Sequence, residues 1–384
     1  MRVLINAFSA RQGGGQTYLR YLLNFLPADS DAVVFVLAPE SLELPEDRSN
    51  ITRLRVTWPV ENPYLRAIWE RFFLPKLLRD IRADILFCPG GVVGTRPPEG
   101  CRTVTMFRNM IPFDLAQRRK YPLGFKRLRN WILNKVMLKS MVEADLVIFV
   151  SEYARKVIEA AAGRPLTKAL VIYHGIDPRF RIEPGAKLPR PEGLPTEGYF
   201  LYVSNIDVFK AQVEVVKGFA MLKQRRRTRE KLVLVGPENH AGYGRKVRAE
   251  INRLGLTGDV IVAGSIPHEA LPAVYHHAEI NIFASESENC PNILLESLAA
   301  GRPIVASSYP PMPEFGGDAV VYFDPASPAD LAEKLAAIID NPTYVDQLSK
   351  KACDRSLLYD WRVAARLTWD AIENLHLQEA RSVD

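Results

Sequence analysis

Short apolar runs recur along this chain, and each is followed by a longer stretch in which apolar positions return every three or four residues. Val3-Leu4-Ile5, Val147-Ile148-Phe149-Val150, Tyr199-Phe200-Leu201-Tyr202-Val203, Leu232-Val233-Leu234-Val235 and Val260-Ile261-Val262 are such runs. Short apolar strands alternating with amphipathic helices predict parallel sheets covered by helices on both faces, an α/β architecture. The pattern lapses in residues 179–198, which contain Pro184, Pro189, Pro191 and Pro195 with Gly185, Gly193 and Gly198 and show no apolar period. That composition predicts a linker. We therefore expect a first domain over 1–180, a linker over 181–198, a second domain over 199–358 and a closing helix in 359–384 that starts near Trp361. The length of 384 residues suits two domains of about 150–200 residues, each with its own core.

One segment breaks the apolar pattern in a way that packing does not explain. Residues 283–307 place Glu288 and Glu296 on either side of Asn289-Cys290-Pro291-Asn292. Pro291 fits the first turn of a helix and Gly301 its end, so Glu296 falls in the second turn of a helix that is otherwise Ile293-Leu294-Leu295 and Ser297-Leu298-Ala299-Ala300. A helix apolar nearly all round is normally buried, and a buried carboxylate is costly unless something pairs with it. Glu296 therefore needs a partner. The helix N-terminus between the two acids favours an anion such as phosphate, while carboxylates accept hydrogen bonds from sugar hydroxyls. An acid on each side of an anion site suits a ligand built as sugar, diphosphate and ribose, which is a nucleotide sugar. Periodicity alone leaves open a blander reading, in which Glu288 is a solvated loop acid and Glu296 reaches solvent past the helix rim.

The same segment resembles the Glu-x7-Glu signature of glycosyltransferase family 4, retaining enzymes of the GT-B fold. Other landmarks agree in order: the opening strand from Met1, the glycines Gly13-Gly14-Gly15 with a helix from Gln16 to Leu26, then Val147 to Glu152, Val171 to Asp177, Tyr199 to Ser204, Leu232 to Pro237 and Val260 to Gly264. The resemblance implies two Rossmann-like doubly wound parallel-sheet domains facing a central cleft. It also implies transfer of a sugar from a nucleotide-sugar donor to a saccharide or lipid-linked acceptor, as in O-antigen, capsule or exopolysaccharide synthesis. Family position assigns Glu288 to the donor sugar, Glu296 to the ribose hydroxyls and Lys210 to the diphosphate. Asn289, Cys290, Pro291, Asn292 and Ile293, with Gly236, Ser265 and Ile266, complete the donor side, and Gly14 and Gly15 belong to the first domain's glycine loop. The base contacts fall around residues 264–267 and 236–237, which no motif decodes.

Two positions depart from the family pattern. Where the family has an arginine before its lysine, Ser204 or Asn205 stands, so one diphosphate charge is missing and the backbone at 289–292 gains weight. Where it has His-Asp before a proline, the chain has Arg108-Asn109 ahead of Pro112. Arg108 either replaces that histidine as a catalytic contact, or restores the lost phosphate charge, or is an ordinary surface residue. These departures keep two alternatives open: a transferase on a small soluble acceptor, and a catalytically silent GT-B subunit that binds a partner transferase.

Composition narrows the remaining choices. Asp29-Ser30-Asp31 has the DxD form of the other large glycosyltransferase fold, but it precedes a strand and reads as a turn. No metal and no cofactor are expected. Cys88, Cys101, Cys290 and Cys353 are scattered, which argues for reduced thiols over zinc or disulfides. No apolar run approaches the length of a membrane span, and the first residues read as a core strand, so a cytosolic chain is expected. Residues 1–190 carry 30 Lys and Arg against 18 Asp and Glu, a balance of +12 that leaves −6 for the rest of the +6 chain. The densest basic stretch, Arg118 to Lys139, mixes eight basic residues with Phe125 and Trp131 and has no acid. It reads either as a helix lying on the inner, anionic face of a membrane or as a solvated basic face. No nucleic-acid module is present, and no nucleic-acid partner is expected.

Overall fold

The computed structural model describes residues 1–11, 13–120, 124–182, 186, 188–226 and 228–383. Tyr121, Pro122, Leu123, Pro184 and Gly185, which belong to the basic stretch and the proline-rich segment, lie outside the described residues. The chain forms two compact units, Met1–Gly175 with Asp360–Asp384, and Ile176–Tyr359.

The first unit is built on seven parallel strands: β1 (Arg2–Asn6), β2 (Val33–Leu37), β3 (Ile51–Arg53), β4 (Ile85–Cys88), β5 (Arg102–Phe107), β6 (Leu146–Phe149) and β7 (Ala169–Val171). Their order is β3-β2-β1-β4-β5-β6-β7. β4 and β6 are buried at every position, as expected of parallel strands covered on both faces. The last helix, Trp361–Val383, begins at the predicted tryptophan and packs on the helix Gly14–Asn24, with Trp369 Nε1 donating to the Leu22 carbonyl at 2.9 Å. Its first residue closes on Gly175, where a Cβ would stand 2.1 Å from the Trp361 nitrogen. Only glycine fits there.

The second unit holds six parallel strands: β8 (Tyr199–Val203), β9 (Lys231–Val235), β10 (Val260–Gly264), β11 (Ile280–Phe283), β12 (Ile304–Ser307) and β13 (Val321–Phe323). Their order, β10-β9-β8-β11-β12-β13, is the doubly wound 3-2-1-4-5-6 arrangement. Phe180, just beyond the 3-10 turn's start at Pro178, is fully buried in this unit's core, and Leu194 packs against it. Both sheets reverse their winding once, at β1/β4 in the first unit and at β8/β11 in the second. Ligands of open α/β sheets bind beyond the carboxyl ends of the strands at such a reversal, because neighbouring loops there splay to opposite faces.

Several sequence expectations shift by a residue or two. The first helix runs Gly14–Asn24 instead of starting at Gln16, and the helix carrying Glu296 runs Asn292–Ala299, so Pro291 precedes the first turn instead of sitting in it. Gly301 ends it as expected, with φ 66°. Asp29 lies in a turn closed by Ser30 N–H to the Pro27 carbonyl, and the Ser30 hydroxyl donates to Glu373 at 2.6 Å.

Candidate functional site

In the second unit, the loops that follow the adjacent strands β8 and β11 are tied together by a hydrogen bond from Glu286 N–H to the Phe209 carbonyl, 2.8 Å. That tie sets Lys210 beside Glu288. Lys210 ends the 3-10 turn Val208–Lys210, which Asp207 caps by accepting from Val208 N–H, and Tyr202 Oη donates to the Lys210 carbonyl at 2.7 Å. Its ammonium group donates to Glu288 Oε1 and lies 5.0 Å from the Phe209 ring centre and 5.6 Å from that of Phe283. Lys210 is 7% exposed. A lysine so buried is stable only because a carboxylate and two aromatic faces replace its water.

Glu296 projects from the second turn of its helix and finds the partners its position demands. Tyr275 Oη donates to Oε2 at 3.2 Å, and His268 Nε2 stands 3.5 Å from Oε1. Burial, aided by the Glu296 charge, pushes the Tyr275 hydroxyl well above its ordinary pKa, so it remains a donor. The His268 ring also meets Arg179 Nη2 at 3.2 Å through Nδ1, and Arg179 is held by an ion pair to the buried Asp177, 2.7 Å. Each carboxylate oxygen of Glu296 thus has one donor within the protein and lone pairs left for a ligand diol.

Glu296 raises the His268 pKa above the ordinary 6.5, against burial and Arg179, which lower it. Folding therefore binds the histidine proton more tightly, and the resulting stabilisation is complete below about 6.5 and fades as pH climbs through the raised value. We expect the unfolding temperature of His268→Asn to fall less than the parent's as pH rises through that window. Parallel curves for the two proteins would remove the coupling.

The end of β8 meets the end of β9 at Gly236. Its φ is 141°, and a Cβ there would stand 2.1 Å from the Ser204 carbonyl oxygen, so any side chain would drive the two strand ends apart. Gly236 N–H in turn donates to the Gly264 carbonyl at 2.8 Å, which brings Ser265 and Ile266 to the same sheet edge; Ser265 is exposed and Ile266 half-buried on the core. At the position expected to hold an arginine, Ser204 Oγ and the Asn205 carbonyl each accept from the buried Gln212 Nε2 at 2.9 Å. The buried group that engages Ser204 and Asn205 is thus a neutral amide. Among the described residues no side chain caps the helix Asn292–Ala299; Asn292 N–H donates to the Cys290 carbonyl at 2.9 Å, and the Cys290 thiol donates to Asn292 Oδ1 at 3.4 Å.

In the first unit, Gly13 (φ 65°) leads into the helix that begins at Gly14, and Arg108 emerges from the end of β5. Sequence gave no reason to join them, yet a Cβ on Gly15 would lie 3.5 Å from Arg108 Nη1. The Arg108 guanidinium stands 5.5 Å from the Tyr18 ring centre, and Tyr18 stacks on His174 at 5.5 Å. Arg108 is half-buried in an aromatic setting, not a loose surface residue. His268, Tyr275, Arg179 and Asp177 escaped the sequence reading. The only signal was the electrostatic demand of Glu296, which says that partners exist without saying which. Among the described residues no cluster of three His, Cys, Asp or Glu side chains has metal-binding geometry.

Residues 12–180 match the family described as Glycosyltransferase Family 4, and residues 186–355 match Glycosyl transferases group 1. The chain is 23% identical over 281 residues to O-antigen chain mannosyltransferase B of Escherichia coli, covering 71% of each chain. Among solved structures it is similar to sucrose-phosphate synthase of Thermosynechococcus elongatus, with a TM-score of 0.77 and 17% identity over 98% of this chain and 100% of that one. It is also similar to Anabaena Alr3699/HepE in complex with UDP-glucose, with a TM-score of 0.72 and 15% identity over 97% of this chain and 100% of that one.

Proposed function

The chain belongs to the family 4 glycosyltransferases of the GT-B fold, and from that premise we propose that it moves a hexosyl unit, with retention, from a nucleoside-diphosphate sugar to a saccharide or lipid-linked acceptor of envelope polysaccharide. The observation that carries the reading is the Lys210–Glu288 pair at the β8/β11 reversal, with Glu296 in the helix that follows. Lys210 and the helix N-terminus face the diphosphate, Glu296 accepts from the ribose diol, and Glu288 accepts from hydroxyls of the sugar while aiming the lysine. The likeness to an Anabaena protein holding UDP-glucose and to an O-antigen mannosyltransferase supports the donor and acceptor classes.

In the proposed reaction the anomeric carbon–oxygen bond breaks, its electron pair passing to the diphosphate. The acceptor oxygen bonds to the same carbon on the face the diphosphate leaves, and its proton passes to a phosphate oxygen. Charge gathers on the leaving oxygens, where Lys210 and the backbone donors stabilise it more than in the ground state. A lysine in this role supplies the positive charge without a metal. The test is release of nucleoside diphosphate from a panel of nucleotide sugars by purified protein in EDTA. Turnover of one donor supports the reading; no turnover, with nucleotides that also fail to raise the melting temperature, favours a silent subunit. A ligand at 100 times its dissociation constant adds about 2.7 kcal/mol of stability, so binding without turnover is readable too.

The acceptor side of the proposal includes an anionic membrane. The stretch from Arg118 to Lys139 contributes the short helix Leu115–Lys120 and the helix Phe125–Glu143. Arg127 is committed within the fold, because it donates to the Arg118 and Arg119 carbonyls at 3.2 and 2.8 Å and so caps the short helix. Arg119, Arg129 and Lys135 are exposed and carry the charge instead. Among the described residues no helix is long and apolar enough to cross a membrane. We expect the parent to sediment with vesicles containing phosphatidylglycerol, and replacement of Arg119, Arg129 and Lys135 by Gln to weaken this strongly, since each charge near the surface contributes about 1 kcal/mol. Equal recovery of both proteins in the pellet would mark a solvated face.

A further inference from the structure

The two partners of Glu296 come from separate positions in the chain, and one short turn organises both. Phe180, fully buried at the end of the 3-10 turn Pro178–Phe180, sets its ring centre 5.2 Å from that of His268 and 5.7 Å from that of Tyr275, in edge contact with each. The turn is itself fixed. Asp177 accepts from Arg179 N–H at 3.0 Å and takes the Arg179 side chain through Nε and Nη2, at 3.1 and 2.7 Å. Next in the chain, Arg181 Nη2 donates to the Ser356 and Tyr359 carbonyls at 3.1 and 2.7 Å. Neither ring can swing away from Glu296 without disturbing a buried aromatic contact.

The proton positions follow from the same contacts. An arginine only donates, so the Arg179 Nη2 contact at 3.2 Å makes His268 Nδ1 an acceptor and leaves the neutral ring's hydrogen on Nε2. In the cationic ring both nitrogens carry hydrogen. In either charge state Nε2 therefore presents a donor to Glu296 Oε1, 3.5 Å away, while Tyr275 Oη donates to Oε2 at 3.2 Å. A carboxylate held at both oxygens by donors from separate segments cannot turn about its last bond to follow a single hydroxyl. Its plane is set before a ligand arrives, and the Glu296 side chain remains 16% exposed, which leaves it within a ligand's reach. Two oriented acceptors suit two adjacent hydroxyls, and a site built to hydrogen-bond a hydroxyl discriminates against the analogue that lacks it.

Resting on the reading of Glu296 as the ribose acceptor, we propose that Tyr275 and His268, the latter set by Arg179, are positioning residues that make this site select ribonucleotide donors over 2′-deoxyribonucleotide donors. The probes are UDP, GDP and ADP, each titrated by calorimetry into the full chain beside its 2′-deoxy counterpart. The tightest-binding ribonucleotide is expected to be favoured at least about tenfold over its deoxy form, the scale of one hydrogen bond to a charged group. Tyr275→Phe deletes one donor. His268→Asn deletes the other, because its amide reaches the place of Nδ1 but not that of Nε2; each variant should cut the preference at least about threefold. His268→Gln, whose amide reaches the place of Nε2, should keep it, a distinction that packing against Phe180 alone would not make. Thermal unfolding confirms that each variant folds, and the two substitutions at His268, whose side chain is 43% exposed, carry the test if Tyr275→Phe does not fold. If no ribonucleotide binds the parent, or the parent shows no preference, or Glu296→Gln retains the preference in full, the ribose assignment of Glu296 falls and the positioning role falls with it. If the preference disappears in Glu296→Gln but stands undiminished in Tyr275→Phe or His268→Asn, or is lost in His268→Gln, the positioning role alone is overturned.

Discussion

Lys210→Ala is expected to lower the rate of sugar transfer by about two to three powers of ten, the scale of one electrostatic donor aimed at a leaving group. The way the lysine is held sets that scale. Its ammonium group is buried between the Phe209 and Phe283 rings and already paired with Glu288, so little water shares its charge. A departing diphosphate then meets an oriented cation in a site of low polarity, where charge interactions are strong. At Ser204 and Asn205 the engaged side chain is the neutral amide of Gln212, which supplies no second positive charge. The same burial creates a confounding cost, because truncation leaves Glu288 without its ion partner. Lys210→Met combined with Glu288→Gln separates the effects: removing both charges should recover the melting temperature lost by Lys210→Ala and leave transfer just as slow. Near-parental turnover by Lys210→Ala would move the phosphate role elsewhere, with Arg108 the first to test.

What the sequence made legible was local chemistry. Buried parallel strands such as β4 and β6 are apolar throughout, and the glycine after Ala300 ends a helix by its backbone freedom, so both could be read from adjacent residues. The demand of Glu296 for a partner was legible for the same reason. Its satisfaction by Tyr275 and His268 was not, since each comes from a separate element and only the fold brings them close. Lys210 and Glu288 are 78 residues apart and meet because β8 and β11 are neighbours at the winding reversal. Arg127 shows the opposite limit. As one of eight basic residues it counted toward a membrane face, yet its guanidinium is spent on two backbone carbonyls. Charge density is visible in a sequence; which charges remain available is decided by packing.

The two glutamates of the signature should separate in binding experiments, and the separation is the strongest check on their roles. Glu296→Gln is expected to weaken nucleoside diphosphate binding by roughly 1.5–3 kcal/mol, or about ten- to a hundredfold, because a charged acceptor of the ribose diol becomes a neutral amide. The variant also disturbs Tyr275 and His268, whose donors are directed at that carboxylate, so the loss belongs to an organised site and not to one contact. Glu288→Gln should behave differently. Its carboxylate engages Lys210 in the absence of ligand, and a diphosphate competes with it for that cation. Neutralising Glu288 therefore leaves diphosphate affinity unchanged or tighter, while transfer from the intact nucleotide sugar falls, since the acceptor for the sugar hydroxyls is gone and the lysine is no longer aimed. Calorimetry with the diphosphate and rate measurements with the sugar nucleotide read the two effects independently. Parental diphosphate affinity in Glu296→Gln would take that residue off the ribose, and weakened affinity in Glu288→Gln would show that it holds the phosphates' surroundings together instead of competing with them.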